Sequence, residues 1–598
     1  MKKAWGWVVA GASLNKRTTL VLTAMWIAAI AVLLYWLRHT PDSALRSELS
    51  ALQFWVLEAQ FVALVALTFS ALRSMFTSGA IDRRGIAAAG VVAIGIVGIA
   101  AFVVPRTNRI FYDEQIYEAI GRSMSDQHVA QMCNDGNVEY GRLICYRGEY
   151  NKQPHGYPYL LSLAYRVFGV HAATAQWLNC LSLGLLVLVV FLTVMLLTGE
   201  WKPALLSGLV MGLIPEQLLW SNTAASEPTA SLFCALAFLA AVCFARQRTS
   251  LALAWMLLAT VFAMQFRPES VLIAAVVLAV VAVQAPRTLV ERRFWLFGVV
   301  AFVLVAPLLA HLYAVRGEGW GTTGDRISLS FLLGNLKSNG LFYLNNERFP
   351  ALCTLLAVAG ILSRRRWQEW LLPLGNFLAF FGVYLLFYAG SYDYGADVRY
   401  SLLTYPPLAV LAGLGAKTVH DRLEAWRGAP TATYKWIVAA VGLSCLWFTP
   451  LLRAEGEEAW GARADVAYAK EFAKHLPKNS YVLTHNPHMF LIWGVNAGQT
   501  SLVTTDESYV RDVLALRYSG GLYLHWNYWC NVDDPAQVLF CRSALDRFPH
   551  ELVDETRVRN YRYAFYRLIT PGTTPRPGGT PSMVPGRHVI DSANSKRP

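Results

Sequence analysis

Residues 108–127, NRIFYDEQIYEAIGRSMSDQ, follow an apolar run over 86–104. Read as a helix, they place Ile110, Tyr117, Ile120 and Met124 on one face. Asp113 falls on that same face, whereas Glu114, Glu118, Arg122 and Ser125 point elsewhere. Beside a membrane-length segment, a helix with this stripe is expected to lie along the bilayer surface. A carboxylate on the stripe costs free energy unless it faces a cavity or meets a partner. Asp113 is therefore expected to look into a cleft at the bilayer edge, the plainer reading being an acid that snorkels out or caps a turn.

The bilayer is called for by the rest of the chain. Of 598 residues, 55% are hydrophobic and only 15% charged, and the mean hydropathy is +0.36. Apolar residues cluster in thirteen segments, near 18–37, 54–76, 86–104, 173–197, 204–222, 227–245, 250–266, 269–285, 295–313, 349–363, 371–389, 402–416 and 436–452. About 20 such residues cross the hydrocarbon core. The expected fold class is a polytopic α-helical membrane protein with about 13 transmembrane helices and a C-terminal extracytoplasmic α/β domain. The net charge of +13 fits basic cytoplasmic loops rather than nucleic acid. If the spans alternate, one side receives Lys2, Lys3, Lys16, Arg17, Arg83, Arg84, Arg246, Arg248, Arg287, Arg292, Arg293 and Arg364, Arg365 and Arg366. That side is expected to be cytoplasmic, with the N-terminus, and the first apolar run is read as a retained span.

The other side then receives 105–172, 314–348, 390–401 and everything after about 453. Residues 1–452 are read as the membrane domain, with 105–172 its first large outer loop carrying amphipathic helices. Residues 453–570 are read as a small α/β domain and 571–598, rich in Pro, Gly, Ser and Thr, as a disordered tail. Cys133 and Cys145 lie together in the loop, and Cys530 and Cys541 together in the tail, while Cys180, Cys234, Cys243, Cys353 and Cys445 sit inside spans. Two close pairs on the predicted outer side point to two disulfides, the alternative being four free thiols.

Four further stretches carry polar groups to the outer side. NKQPHGYPYLLSLAYRVFG places Lys152 and His155 at the head of an amphipathic segment. A Lys there is a partner for phosphate, or an interfacial snorkeling residue. DVRYSLLTYPPLAVLAG puts Arg399 and Tyr400 at the mouth of a late span. SEPTASL and FRPESVL put Glu227, Arg267 and Glu269 in outer turns.

An Asp-Glu pair in the first outer loop, then Lys-x-Pro and a Leu/Tyr segment ending in Phe-Gly, resembles the GT-C glycosyltransferases. The nearest likeness is to the branch of protein O-mannosyltransferases and lipid A aminoarabinose transferases, and it covers roughly residues 86–570. This chain has Gln153 where that branch usually has a first Pro after the Lys. The resemblance implies an inverting transferase that moves one sugar from a polyprenyl-phosphate donor to an envelope acceptor: lipid A, another glycolipid, a polysaccharide or a protein. It implies Asp113, with Glu114, as catalytic acids. It implies Lys152, Arg267 and Arg399 as donor-phosphate ligands, and Tyr112, His155, Tyr400, Glu227 and Glu269 as substrate contacts. The location implied is a bacterial inner membrane, among membrane lipids, with the C-terminal domain periplasmic. No metal site is assigned. A divalent cation at Asp113 and Glu114 is possible, but two acids alone make a poor site, and His485 and His488 lack companion ligands at metal spacing. Two rivals stand beside this reading. One is an oligosaccharyltransferase or glycan ligase with a lipid pyrophosphate donor, which would need an acid cluster for metal. The other is a lipid-linked-sugar flippase, for which Glu58 and Glu216 are candidate mid-span acids.

Overall fold

The computed structural model describes residues 16–319, 324–363, 367–393, 395–428, 432–515 and 518–569. The tail expected to be disordered, 571–598, lies outside them, as do Lys2, Lys3, Arg364, Arg365 and Arg366.

Each of the thirteen apolar segments is helical over most of its length. Among the described residues, seven helical segments are long and apolar enough to cross a membrane, or eight if the bent pair Trp201–Leu213 and Pro215–Ser221 is one span. That pair breaks by 61° because Pro215 removes an N–H and forces Ile214 into the extended region. Ser250–Ala263, Pro268–Gln284 and Ala351–Ile361 are apolar but shorter. The length test is thus met by fewer helices than the thirteen segments read from hydropathy.

Six helices matter for the site: α1 (Asp113–Gln127), α2 (Gly156–Phe168), α3 (Ala172–Thr198), α4 (Glu227–Gln247), α5 (Tyr405–Arg427) and α6 (Trp460–His475). The interior of the bundle is α3, α4 and the segment Gly395–Arg427, whose apolar windows are 83%, 94% and 89% buried. The first helix, Lys16–His39, sits at the periphery, its window only 6% buried. Helices among lipid associate by close packing of small residues rather than by hydrophobic gain. Ala351–Ile361 accordingly meets α5 glycine to backbone, and a Cβ on Gly415 would stand 1.7 Å from the Leu356 carbonyl oxygen.

Beyond the bundle lies a seven-stranded sheet in the order β2-β1-β4-β3-β5-β7-β6. Its strands are β1 (Met132–Glu139), β2 (Arg142–Glu149), β3 (Tyr481–Thr484), β4 (Asn496–Gln499), β5 (Leu522–Trp526), β6 (His550–Val558) and β7 (Tyr561–Leu568). β3 runs parallel to β4 and β5, and the other pairs are antiparallel. β3 and β5 are buried along their whole length, as strands covered on both faces are. β1 and β2 come from the first loop. Their two-residue turn uses Tyr140 and Gly141, both at positive φ (50° and 81°), the geometry that matches strand twist. The Cys133–Cys145 disulfide staples this hairpin, and Cys530–Cys541 ties the turn after β5 to the helix Pro535–Asp546. β1 then pairs with β4, Asp135 opposite Gly498, so loop and tail share one sheet.

That sharing alters the expected setting of α1. The stripe Tyr117, Ile120 and Met124 is buried as predicted, but so are Glu114, Glu118 and Arg122 on the other faces. The helix lies between the bundle and the C-terminal segment instead of on an open surface. Arg122 donates to the Leu491 carbonyl from the far side.

Candidate active site

Asp113 opens α1. The residue two before it, Phe111, holds φ at 37°, a costly left-handed conformation for a non-glycine residue. Its ring is braced by Tyr528 at 5.6 Å and Trp529 at 6.4 Å between centroids. The resulting bend brings Asp113, half-buried, to one end of the bundle. Electrostatically it faces Arg399, Glu227, Lys152 and Arg267. Burial pushes its carboxyl above the ordinary range, and the three cations pull it back down.

The cations are organised around Glu227, the first residue of α4 and 1% exposed. Its Oε1 accepts from Arg267 Nη1 at 2.8 Å and from Arg399 Nε at 3.0 Å. Arg267 also pairs with Glu269 at 2.9 Å, and Arg399 with Asp397 at 3.0 Å. Tyr400 lies under both guanidinium groups, 5.5 Å from Arg267 and 4.4 Å from Arg399, and its hydroxyl accepts from Arg399 at 3.0 Å. Lys152 Nζ donates to the Gly319 carbonyl at 2.6 Å, reaching the 314–348 segment. Asp113, Lys152, Glu227, Arg267, Glu269, Arg399 and Tyr400, scattered over the sequence, thus form one site.

Three other candidates stand outside it. Glu114 is fully buried and turned away. Its oxygens accept from the backbone N–H of Arg109 (2.5 Å), Ile110 (3.1 Å) and Ala224 (2.8 Å), so it clamps the chain before α1 to the turn before α4. Burial raises it to about 7 against the pull of these donors. Tyr112 points to the sheet, where its hydroxyl bonds Asp465, which pairs at 2.9 Å with His525. His155 is fully buried against Tyr150 and His311, with centroids 5.1 and 5.3 Å away, and desolvation holds it well below the usual histidine range. It supports the floor under Lys152, whose carbonyl meets His311 Nε2 at 3.1 Å.

Tyr384 belongs to the site and carries no sequence signal beyond an aromatic at a span end. Its hydroxyl donates to Glu269 at 2.5 Å, and its ring stacks on Tyr400 at 4.7 Å. The other residues singled out in the sequence are placed elsewhere. Glu216 lies in the first turn of the helix after the bend and pairs with Arg348 at 2.6 Å, and Glu58 accepts from Tyr159 at 2.8 Å. His485 lies beside Cys530 and Cys541, which are joined in a disulfide and offer no thiolate.

Comparison with known proteins places this arrangement. Residues 152–311 match the family described as dolichyl-phosphate-mannose-protein mannosyltransferase. ArnT from Cupriavidus metallidurans bound to undecaprenyl phosphate superposes with a TM-score of 0.53 at 14% identity, over 81% of this chain and 99% of that one. The same protein in its apo state gives 0.51 at 16% identity, over 80% and 97%. The chain has the GT-C fold. The archaeal oligosaccharyltransferase AglB from Archaeoglobus fulgidus, in complex with an inhibitory peptide and a dolichol-phosphate, is more distant, at 0.46 and 13% identity over 81% and 74%. No curated protein sequence matches this GT-C chain. With seven or eight membrane-length helices among the described residues, it is a multi-pass membrane protein.

Proposed function

We propose that this GT-C protein is an inverting glycosyltransferase. It moves a single sugar from a polyprenyl-phosphate donor to an envelope acceptor, a glycolipid such as lipid A, a polysaccharide or a protein, at the periplasmic face of a bacterial inner membrane. The observation that carries the reading is Glu227 drawing Arg267 and Arg399 together, within electrostatic reach of the half-buried Asp113. It is supported by the polyprenyl phosphate bound to the ArnT neighbour.

In this mechanism the acceptor hydroxyl or amine attacks the anomeric carbon while Asp113 takes its proton. The carbon–oxygen bond to phosphate breaks from the opposite face, and the electron pair leaves with polyprenyl phosphate. Phosphate is already a good leaving group, so cations that hold its developing charge suffice. Arg267 and Arg399 supply positive charge fixed in place by Glu227, and Lys152 an ammonium on a flexible stem. Glu227 keeps the two guanidinium groups from repelling each other apart. Tyr400 and Tyr384 offer aromatic surface beside them, and Glu269 holds Arg267 in place. Glu227, Glu269 and Asp397 are each held by arginine partners. Glu114, Tyr112 and His155 position the site instead of touching substrate.

The test is transfer of radiolabelled sugar from a panel of polyprenyl-phosphate sugars to envelope fractions, with wild type and Asp113→Asn compared. The expected outcome is label transfer by wild type and a loss of at least 100-fold in a folded variant, the low end for a removed general base. Equal transfer by both removes Asp113 from the mechanism.

A further inference from the structure

A cavity of about 1090 Å³ opens at the opposite end of α1 from Asp113, roughly 20 Å away for a 15-residue helix at 1.5 Å per residue. Its walls carry Arg122, Arg142, Arg166, Lys470 and Lys474 against one lining acid, Asp126. That acid is already engaged, by Arg122 at 3.4 Å and the Leu143 N–H at 2.8 Å. Lys474 also meets Glu471 just outside the wall, at 2.5 Å. Arg142, Arg166, Lys470 and Lys474 are exposed, and Arg166 also lies 4.8 Å over the Phe54 ring and donates to the Met124 carbonyl at 3.4 Å. The buried Arg122 is the frame: it donates to the carbonyls of Leu491 and of Gly141, joining α1, the hairpin turn and the C-terminal segment around the cleft.

The cleft is also amphiphilic. Its lining includes Ala172 and Ala173, the start of the membrane-length helix α3. Val167 and Phe168, 72% and 68% exposed, follow directly on Arg166. Exposed apolar side chains at the head of a span enter the bilayer interface, and basic groups beside them meet headgroups.

We infer that this cleft binds the anionic, phosphate-bearing headgroup of a membrane lipid, at a site separate from the Asp113 cluster. Lysine and arginine on three elements close around the phosphate, while Val167 and Phe168 lie along the acyl chains. The inference rests on α3 being a membrane span and not on sugar transfer, so it survives if the proposed chemistry fails.

The experiment is native mass spectrometry of the delipidated full chain, titrated with phosphatidylglycerol, phosphatidylcholine or inorganic phosphate. Wild type is compared with Arg142→Ser/Lys470→Ser/Lys474→Ser, and with a control, Lys478→Ser/Arg557→Ser, that removes exposed charge elsewhere. Wild type and control are expected to retain phosphatidylglycerol about tenfold more strongly than phosphatidylcholine. The triple variant, with an unchanged melting temperature because its residues are exposed, is expected to lose that preference. Equal retention by wild type and triple variant overturns the site. An equal loss in the control shows generic charge attraction and overturns it too. Displacement of the lipid by millimolar inorganic phosphate overturns the lipid assignment in favour of a soluble phosphate.

Discussion

Asp113 sits between opposing influences, burial raising its carboxyl and Arg399, Lys152 and Arg267 lowering it. A base must be ionised, so transfer is expected to rise with pH through a midpoint above the ordinary carboxylate range. Arg399→Gln removes the largest lowering charge and is expected to move that midpoint to higher pH, beyond any loss of rate. A pH profile of transfer for both proteins checks this, and an unmoved midpoint rules out Asp113 as the titrating group. Glu114 answers to a different measurement. Glu114→Gln replaces a carboxylate oxygen that accepts N–H bonds, and is expected to cost about 1–3 kcal/mol of stability in thermal unfolding. Of the two neighbouring acids, only one could be read from the sequence. Asp113 was marked by lying on the apolar stripe, whereas the role of Glu114 depends on the Ala224 N–H, 110 residues away. The burial of His155 was equally hidden, because it depends on His311 from another helix.

Among the elements, the helices were legible because lipid demands long apolar runs with every backbone group bonded internally. Arg267 and Arg399 were legible as candidates because they stand at the ends of those runs. The hairpin β1–β2 was not. MCNDGNVE is polar and does not alternate, and its burial comes from a partner strand hundreds of residues later. Its disulfide was legible from the spacing of Cys133 and Cys145, and the structure forms it. Replacing both cysteines by serine is expected to cost the hairpin about 3 kcal/mol, the closure term for a loop of this size. Hydrogen exchange over 132–149 measures it, and unchanged protection refutes it. Within the bundle, Gly415→Ala forces a Cβ into the Leu356 carbonyl. It is expected to lower the melting temperature although alanine is the better helix former.

Across the whole molecule, the four polar segments assigned to one side do touch. Arg109 pairs with Glu458, Arg348 with Glu458, and Ser338 donates to Asp393. The buried link from Tyr112 through Asp465 to His525 runs from the residue before Asp113 into the sheet. Tyr112→Phe is expected to lower kcat several-fold with the donor KM unchanged, because it loosens Asp113 and leaves the cations alone. A matching rise in KM indicates that Tyr112 touches donor instead. The pairing of Asp135 with Gly498 also sets a clock on biogenesis. The two residues are 363 positions apart (498 − 135), and a chain made at roughly 5–20 residues per second reaches the second about 20–70 s after the first. For that interval β1 is an unpaired edge and the ground beneath Asp113 is unfinished. The sheet that anchors the segment before Asp113 therefore stays incomplete until residue 498 has emerged, and a chain that stalls short of it leaves an edge strand exposed to quality control.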